Sequence, residues 1–149
     1  MTTAVPSGQP REGTVLALDF GQRRTGLAIG ELTLGIAHPL KLVETTDADQ
    51  RLDRIAATVR EWAPKLLVLG LPVRDDGAEH PLAAAVLAFR DSLEHRFGLP
   101  VRLVDERFSS HAASLALADA GVRGRRQKEH LDSLAAREIL QGFFDANSA

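Results

Sequence analysis

Apolar residues recur along the chain with two different periods, and the first part of the chain has the period of strands. Three short apolar runs, at residues 15–19, 25–30 and near 36–43, are separated only by turns and are predicted to be strands. Consecutive strands joined by such short connections usually pair with each other. The spacing therefore predicts an antiparallel meander of three strands.

Beyond the meander, apolar residues at helical spacing alternate with short apolar runs. The run at residues 65–70 is apolar on both faces, as parallel strands covered by helices are. The order β-β-β-α-β-α-β-α-α predicts an α/β fold with a mixed five-stranded sheet, three antiparallel strands and then parallel ones, flanked by helices. The predicted elements of this part are helices at about 47–62, from Pro81 to about 93, at 110–120 and at about 131–144, and strands at 65–70 and 101–104.

Length and composition bound the organisation of the chain. With 149 residues it fits one domain, which we expect at residues 13–149, preceded by a disordered Pro/Gly/Ser tail at residues 1–12. There is no cysteine and no tyrosine, which excludes disulfides, thiolate zinc sites and covalent phosphotyrosine chemistry. No apolar run approaches the ~20 residues of a membrane span, and the N-terminus has no apolar signal core, so we expect a cytoplasmic location.

The charge of the chain gives no general attraction for nucleic acid, because the formal net charge is −2. Phosphate binding would therefore depend on local basic patches or on bound cations. One patch is Arg23 with Arg24. The other lies in and just after a predicted loop at residues 121–127 and could follow a nucleic-acid backbone; it consists of Arg123, Arg125, Arg126 and Lys128.

Three acidic residues stand at positions where acids are unusual. Asp19 ends an apolar strand, Glu106 follows another, and Asp132 opens the last predicted helix. If the two strands lie side by side and parallel, their carboxyl ends reach one edge of the sheet, where α/β folds place their sites. Ala135 and Ala136 lie one helical turn after Asp132, so Asp132 shares the face of the helix that we expect against the sheet.

Carboxylates held this close repel one another unless a cation lies between them, and oxygen ligands favour Mg²⁺ or Mn²⁺. Ions at such a site can activate water and stabilise the leaving oxygen of a phosphodiester. Each residue also has a purely structural interpretation: Asp19 as a turn former, Glu106 as a surface partner of Arg107, and Asp132 as a helix N-cap. Spacing alone leaves both interpretations open.

Four segments, in order, resemble the motifs of one known family, the YqgF/RuvX family of Holliday-junction-resolvase-like proteins, and together they cover nearly the whole chain after the tail. The segments are residues 18–28 (Leu-Asp-Phe-Gly through Thr-Gly-Leu-Ala), 68–77 (Val-Leu-Gly-Leu-Pro through Asp-Gly), 104–110 (Val-Asp-Glu-Arg-Phe-Ser-Ser) and 131–141 (Leu-Asp-Ser-Leu-Ala-Ala through Ile-Leu-Gln).

The resemblance implies a ribonuclease-H-like fold and a metal-dependent nuclease. It implies that Asp19, Glu106 and Asp132 are the catalytic residues and bind Mg²⁺ or Mn²⁺. Family members are associated with processing the 5′ end of 16S ribosomal RNA precursors, and others with cleaving Holliday junctions. The expected partners are therefore structured RNA or branched DNA, and ribosomal particles, for a monomer or a homodimer.

The chain departs from the family pattern at a few positions. Ser109 and Ser110 stand where the family commonly has threonines, which keeps the hydroxyl groups. The strand at 65–70 ends without the carboxylate of the related junction resolvases, so Glu106 has to supply that ligand, with Asp105 and Asp76 as the alternatives. Arg107 follows Glu106 and could grip the scissile phosphate.

Two other functions fit part of the pattern. A non-catalytic module that binds RNA or the ribosome could keep the same fold. Asp19-Phe20-Gly21 also resembles the Asp-x-Gly opening of actin and sugar-kinase folds, which suggests nucleotide binding. Those proteins hold the nucleotide between two such domains, and this chain has room for one.

Overall fold

A computed structural model describes residues 10–72, 80–105 and 124–147, with no side chains for 124–133. Its sheet follows the predicted meander and then turns parallel. The strands are β1 (Thr14–Asp19), β2 (Arg24–Glu31), β3 (Ala37–Pro39), β4 (Val43–Glu44), β5 (Leu66–Leu71) and β6 (Val101–Asp105), and the helices are α1 (Ala48–Trp62), α2 (Ala83–Phe97) and α3 (Gly124–Asn147).

The order across the sheet is β3-β2-β1-β5-β6, and β4 pairs with the other end of β2. Strand β1 is antiparallel to β2 and parallel to β5, and β5 is parallel to β6. The prediction of a mixed sheet flanked by helices is therefore confirmed, but the described sheet has six strands and not the predicted five. The predicted third strand near 36–43 is wrong as a single strand: Pro39, which lacks a backbone N–H, ends β3, and the chain pairs with β2 again only at Val43.

Alternation along β1 gives each face of the sheet its own core. Val15 and Ala17 pack with α3 on one face, and Leu16 and Leu18 pack with α1 and α2 on the other. All four side chains are fully buried. Two covered faces explain why this strand is apolar at consecutive positions rather than at alternate ones.

Helix α1 matches the predicted helix at about 47–62 closely. Asp47 caps its first turn, because the Oδ1 atom accepts a hydrogen bond of 2.9 Å from the backbone N–H of Gln50. At the other end, Ala63 adopts a left-handed conformation with φ of 48°, and Pro64 follows it. Capping signals at both ends thus explain the accurate bounds.

Helix α3 begins well before the predicted start near residue 131. Positions 124–127, predicted as part of a basic loop, are helical from Gly124 onward. Arg, Gln and Lys have high helix propensity, so the helix extends beyond the apolar stripe on which the prediction rested. The helix predicted at 110–120 lies outside the described residues. Within the described chain, no helix is both long and apolar enough to cross a membrane.

Candidate functional site

Three parallel strands end at the same edge of the sheet. Leu18 pairs with Leu69, and Leu71, two residues further along β5, pairs with Asp105. Asp19 and Asp105 are therefore the last residues of β1 and β6 at this edge, which we call the carboxyl edge. The two strands are parallel, as the convergence of their ends requires, but they are not side by side, because β5 lies between them. Two strand spacings, about 10 Å, separate their backbones.

The two acidic residues point to opposite faces of the sheet. Asp19 follows Val15 and Ala17 at every second position of β1, so its side chain is on the same side of the strand as theirs, which pack under α3. Asp105 has the parity of Leu103, which packs with α1 and α2, while Val104 packs on the side of α3. Alternation thus disfavours Asp105, one of the alternative ligands, as a partner of Asp19.

Helix α3 lies on the face to which Asp19 points and crosses the sheet. Near its end, Gln141 accepts a hydrogen bond of 3.1 Å from the backbone N–H of Ala37 and donates one of 2.8 Å to the carbonyl of Gly35, which fixes this part beside β3. The helix also contacts β1, β2, β5 and β6. Since β6 is at the other side of the sheet, the N-terminal part of α3 is the part that reaches it.

Small residues bring α3 close to the sheet. Ala135 and Ala136 are 1% and 0% exposed, and a Cβ atom on Gly30 would lie 2.7 Å from the ring of Phe144. Position 132 is one helical turn before the two alanines, on the same face of the helix. The close approach that the alanines suggested in the sequence is therefore confirmed, while the side chain of Asp132 is not described.

Most of the predicted site residues belong to segments outside the described side chains. Glu106, Arg107, Arg123 and the alternative ligand Asp76 lie outside the described residues, and Arg125, Arg126 and Lys128 are described only as backbone of α3. No group of three or more His, Cys, Asp or Glu side chains that could hold a metal ion occurs among those the structure describes. Of the three predicted ligands, only Asp19 has a described side chain.

The turn after Asp19 is held by a buried arginine that the sequence interpretation did not single out. Arg51 is only 5% exposed, and its Nη2 atom donates hydrogen bonds of 2.7 Å and 2.9 Å to the carbonyls of Gln22 and Thr45. Its guanidinium lies 4.9 Å from the centre of the Phe20 ring. Burial lowers the pKa of Arg51, and nearby Asp47 opposes that shift. The signal was present, since Arg51 stands one helical turn before the buried Ile55.

The close turn also explains Gly21. A Cβ atom at this position would lie 2.3 Å from the carbonyl oxygen of Arg24, the first residue of β2. No side chain fits there, so the turn that leads away from Asp19 needs a glycine for reasons of space. The Asp-Phe-Gly sequence thus positions Asp19 at a strand end and lets the chain reverse tightly behind it.

Comparisons with known proteins agree with this geometry. The profile of the RuvX family, described as Holliday junction resolvase, matches residues 13–146. A protein of Nitrosospira multiformis is 49% identical over 100% of this chain and 99% of its own length, and one of Chromobacterium violaceum is 50% identical over 87% and 96%. Both are named "Putative pre-16S rRNA nuclease".

Solved structures of junction resolvases share the fold at low sequence identity. The yeast mitochondrial resolvase Ydc2 is similar with a TM-score of 0.56 at 13% identity, over 92% of this chain and 79% of that one. Thermus thermophilus RuvC, in complex with a Holliday junction substrate, gives 0.53 at 20% identity, over 90% and 94%. The expected ribonuclease-H-like fold is therefore confirmed, and the chain belongs to the RuvX family.

Proposed function

We propose that this protein is a divalent-metal-dependent endonuclease that cleaves phosphodiester bonds at the 5′ end of the 16S ribosomal RNA precursor. The observation that carries the proposal is the position of Asp19 at the carboxyl edge of the sheet, on the face covered by α3. The chain is also about half identical to a relative named "Putative pre-16S rRNA nuclease" over nearly its full length. We assign catalysis to Asp19, Glu106 and Asp132.

The described backbone supports this set of carboxylates. Strand alternation favours the residue after Asp105 over Asp105 itself, because the face of Asp19 recurs at every second position. Position 132 lies in the part of α3 that extends toward β5 and β6, about 18 Å of helix before Phe144. We therefore expect all three carboxylates on one face of the carboxyl edge.

The donor chemistry fits Mg²⁺ or Mn²⁺, which prefer carboxylate oxygens. When bound, the ions supply a lowered pKa for water and a positive charge for the leaving oxygen. The three carboxylates hold and orient that charge. Arg107 then grips the scissile phosphate, and the arginines and lysine at 123–128 contact the nucleic-acid backbone beside it.

A second substrate, the Holliday junction, is favoured by the description of the family that matches residues 13–146. Junction cleavage at two symmetric positions needs two active sites and hence a homodimer, whereas trimming of RNA needs one. We propose the RNA substrate first, because the relatives at about half identity carry that name over their full length. The proposal also includes a single domain at 13–149 and a disordered tail at 1–12. We further propose a cytoplasmic location and contact with ribosomal particles.

The test is cleavage of a 16S precursor transcript and of a four-way DNA junction in the presence of Mn²⁺. The parent protein should cleave the transcript near its 5′ end, and Asp19→Asn should lower the rate by at least about a hundredfold, as loss of an electrostatic group at an active site does. Asp91→Asn, at an exposed position of α2, is the matched control and should cleave like the parent. Equal cleavage by the parent and Asp19→Asn would contradict the proposal.

The same panel separates the alternatives. Symmetric cleavage of the junction by a dimeric protein, without cleavage of the transcript, would favour the second substrate. Binding of the transcript without any metal-dependent cleavage would favour the non-catalytic RNA-binding module.

A further inference from the structure

A cavity of about 360 Å³ lies between the turn that follows Asp19 and the first turn of α1. It lies at the carboxyl edge of the sheet, and its charge sets it apart, because none of its lining residues is acidic and two are arginines. The lining consists of Phe20, Gln22, Arg23, Thr46 and Arg51.

Arg51 places a buried positive charge in the wall of this cavity. Its side chain is 5% exposed, and no ion pair to it occurs among the described residues. The Nη2 atom of Arg51 donates hydrogen bonds to two backbone carbonyls, but its Nε atom is buried without a hydrogen-bond partner in the described chain. A guanidinium stays charged at any physiological pH, so this charge is taken out of water, and nearby Asp47 and the Phe20 ring compensate for that only in part.

An anion in the cavity would supply the missing compensation. Arg23 is exposed and lines the same cavity, so its guanidinium can contact a ligand there, and the Thr46 side chain offers a hydroxyl donor. The start of α1 adds a further positive potential, although Asp47 caps it. Arginine pairs are the usual partners of phosphate oxygens.

The position of the cavity at the carboxyl edge indicates what kind of phosphate it would take. Phe20 follows Asp19 directly, but its side chain packs on the face of α1 and α2, so the cavity lies at the carboxyl edge on the face opposite to that of Asp19. We propose that this cavity binds a backbone phosphate of a nucleic-acid strand that crosses the carboxyl edge, at a distance from the cleaved bond, with Arg51 as the buried charge and Arg23 as the exposed contact. The inference rests on the proposed function, because a nuclease brings such a strand to this edge.

The test compares two exposed arginines that carry the same charge. Arg23 lines the cavity, whereas Arg60 is exposed near the end of α1, about 18 Å along the helix from its start. Binding of a fluorescein-labelled single-stranded RNA of twelve nucleotides is measured at several salt concentrations, with Asp19→Asn added to each protein to prevent cleavage. Both single substitutions to Gln remove one positive charge.

Arg23→Gln should weaken RNA binding about tenfold at low salt and reduce the slope of log K against log salt by about 0.7, the value for one phosphate contact with a single strand. Arg60→Gln should leave both quantities unchanged. Equal affinities and slopes for the two variants would overturn the inference.

A second measurement examines Arg51 without nucleic acid. Inorganic phosphate, compared with chloride at equal ionic strength, should raise the melting temperature of the parent, and it should raise that of Arg23→Gln less. Arg51→Lys keeps the charge but loses the planar fork, so its phosphate-dependent shift should also be smaller. If Arg51→Lys does not fold, Arg23→Gln decides the question. Equal shifts in the parent and Arg23→Gln would contradict a phosphate site.

Failure of the inference and failure of the proposed function have different signatures. If the parent cleaves RNA with Mn²⁺ while Arg23→Gln and Arg60→Gln bind alike, the nuclease proposal stands and the phosphate site is wrong. If the parent cleaves neither substrate but Arg23→Gln selectively loses RNA binding, the phosphate site stands and the nuclease proposal is wrong.

Discussion

The turn behind Asp19 offers a sharp test through Gly21→Ala. A methyl group at Gly21 would lie 2.3 Å from the carbonyl oxygen of Arg24, about 1 Å closer than ordinary contact allows. The obstructing atom belongs to the backbone of β2, which pairs with β1 on one side and β4 on the other. No side-chain rotation relieves the overlap, so the turn itself has to open.

The cost follows from the size of that displacement. Forcing an extra methyl group into a close-packed position typically costs about 1–3 kcal/mol of unfolding free energy. For a domain of this length, each kcal/mol lowers the melting temperature by about 2–4 °C, so Gly21→Ala should melt roughly 2–12 °C below the parent. Because the opened turn begins one residue after Asp19, the rate of metal-dependent cleavage should also fall.

Gly142→Ala is the matched control, since it makes the same chemical change in a different environment. Gly142 lies in the interior of α3, and among the described residues a Cβ atom there would meet nothing within 4 Å apart from the backbone of its own helix. Alanine should therefore stabilise the protein by about 0.5–1 kcal/mol through helix propensity. Differential scanning fluorimetry on both variants should show shifts of opposite sign. A Gly21→Ala protein that melts at or above the parent temperature would refute the steric argument.

Three further substitutions test the contacts that hold the site in place. Arg51→Leu removes the two hydrogen bonds that the guanidinium donates to the carbonyls of Gln22 and Thr45. It should therefore lower the unfolding free energy measured in urea by about 2–4 kcal/mol. An unchanged urea midpoint would show that Arg51 does not hold the turn after Asp19. Gln141→Ala should lower the unfolding free energy by about 1–3 kcal/mol, because it leaves the backbone N–H of Ala37 without its hydrogen-bond partner. Hydrogen exchange at that N–H should become faster, and an amide that stays protected would contradict this. Asp47→Ala should lower the unfolding free energy, measured by thermal melting, by about 1 kcal/mol, because the N-cap hydrogen bond from Gln50 is lost. An equal loss in Asp47→Asn would show that capping is not the cause, because asparagine also caps helices.

The fold was predictable where local signals agreed with burial. Strands β1 and β5 are apolar at consecutive positions because helices cover both faces of the sheet, and α1 has capping signals at both ends. The interruption at Pro39 and the early start of α3 at Gly124 were missed. Both depend on features that apolar periodicity does not record: a missing N–H in one case and helix propensity in the other.

The site was predictable in part. The sequence identified Asp19 at a strand end, but it did not reveal that β5 separates β1 from β6, because strand order depends on contacts between distant parts of the chain. Arg51 was overlooked because a charged residue within an apolar stripe is usually taken as solvent-facing. Its buried role becomes visible only when the turn at residues 20–23 packs against α1.

Binding of Mn²⁺ shows whether carboxylates from distant segments hold divalent ions at the carboxyl edge of the sheet, as we propose. Titration followed by the electron paramagnetic resonance of free Mn²⁺ gives the affinity and the number of bound ions for the parent and for Asp19→Asn, Glu106→Gln and Asp132→Asn. We expect each substitution to weaken Mn²⁺ binding by at least about tenfold, because each ligand carboxylate contributes to the same site, whereas Asp91→Asn should leave the binding unchanged. Mn²⁺ binding of equal affinity and stoichiometry in the parent and in all three variants would contradict the proposed metal site.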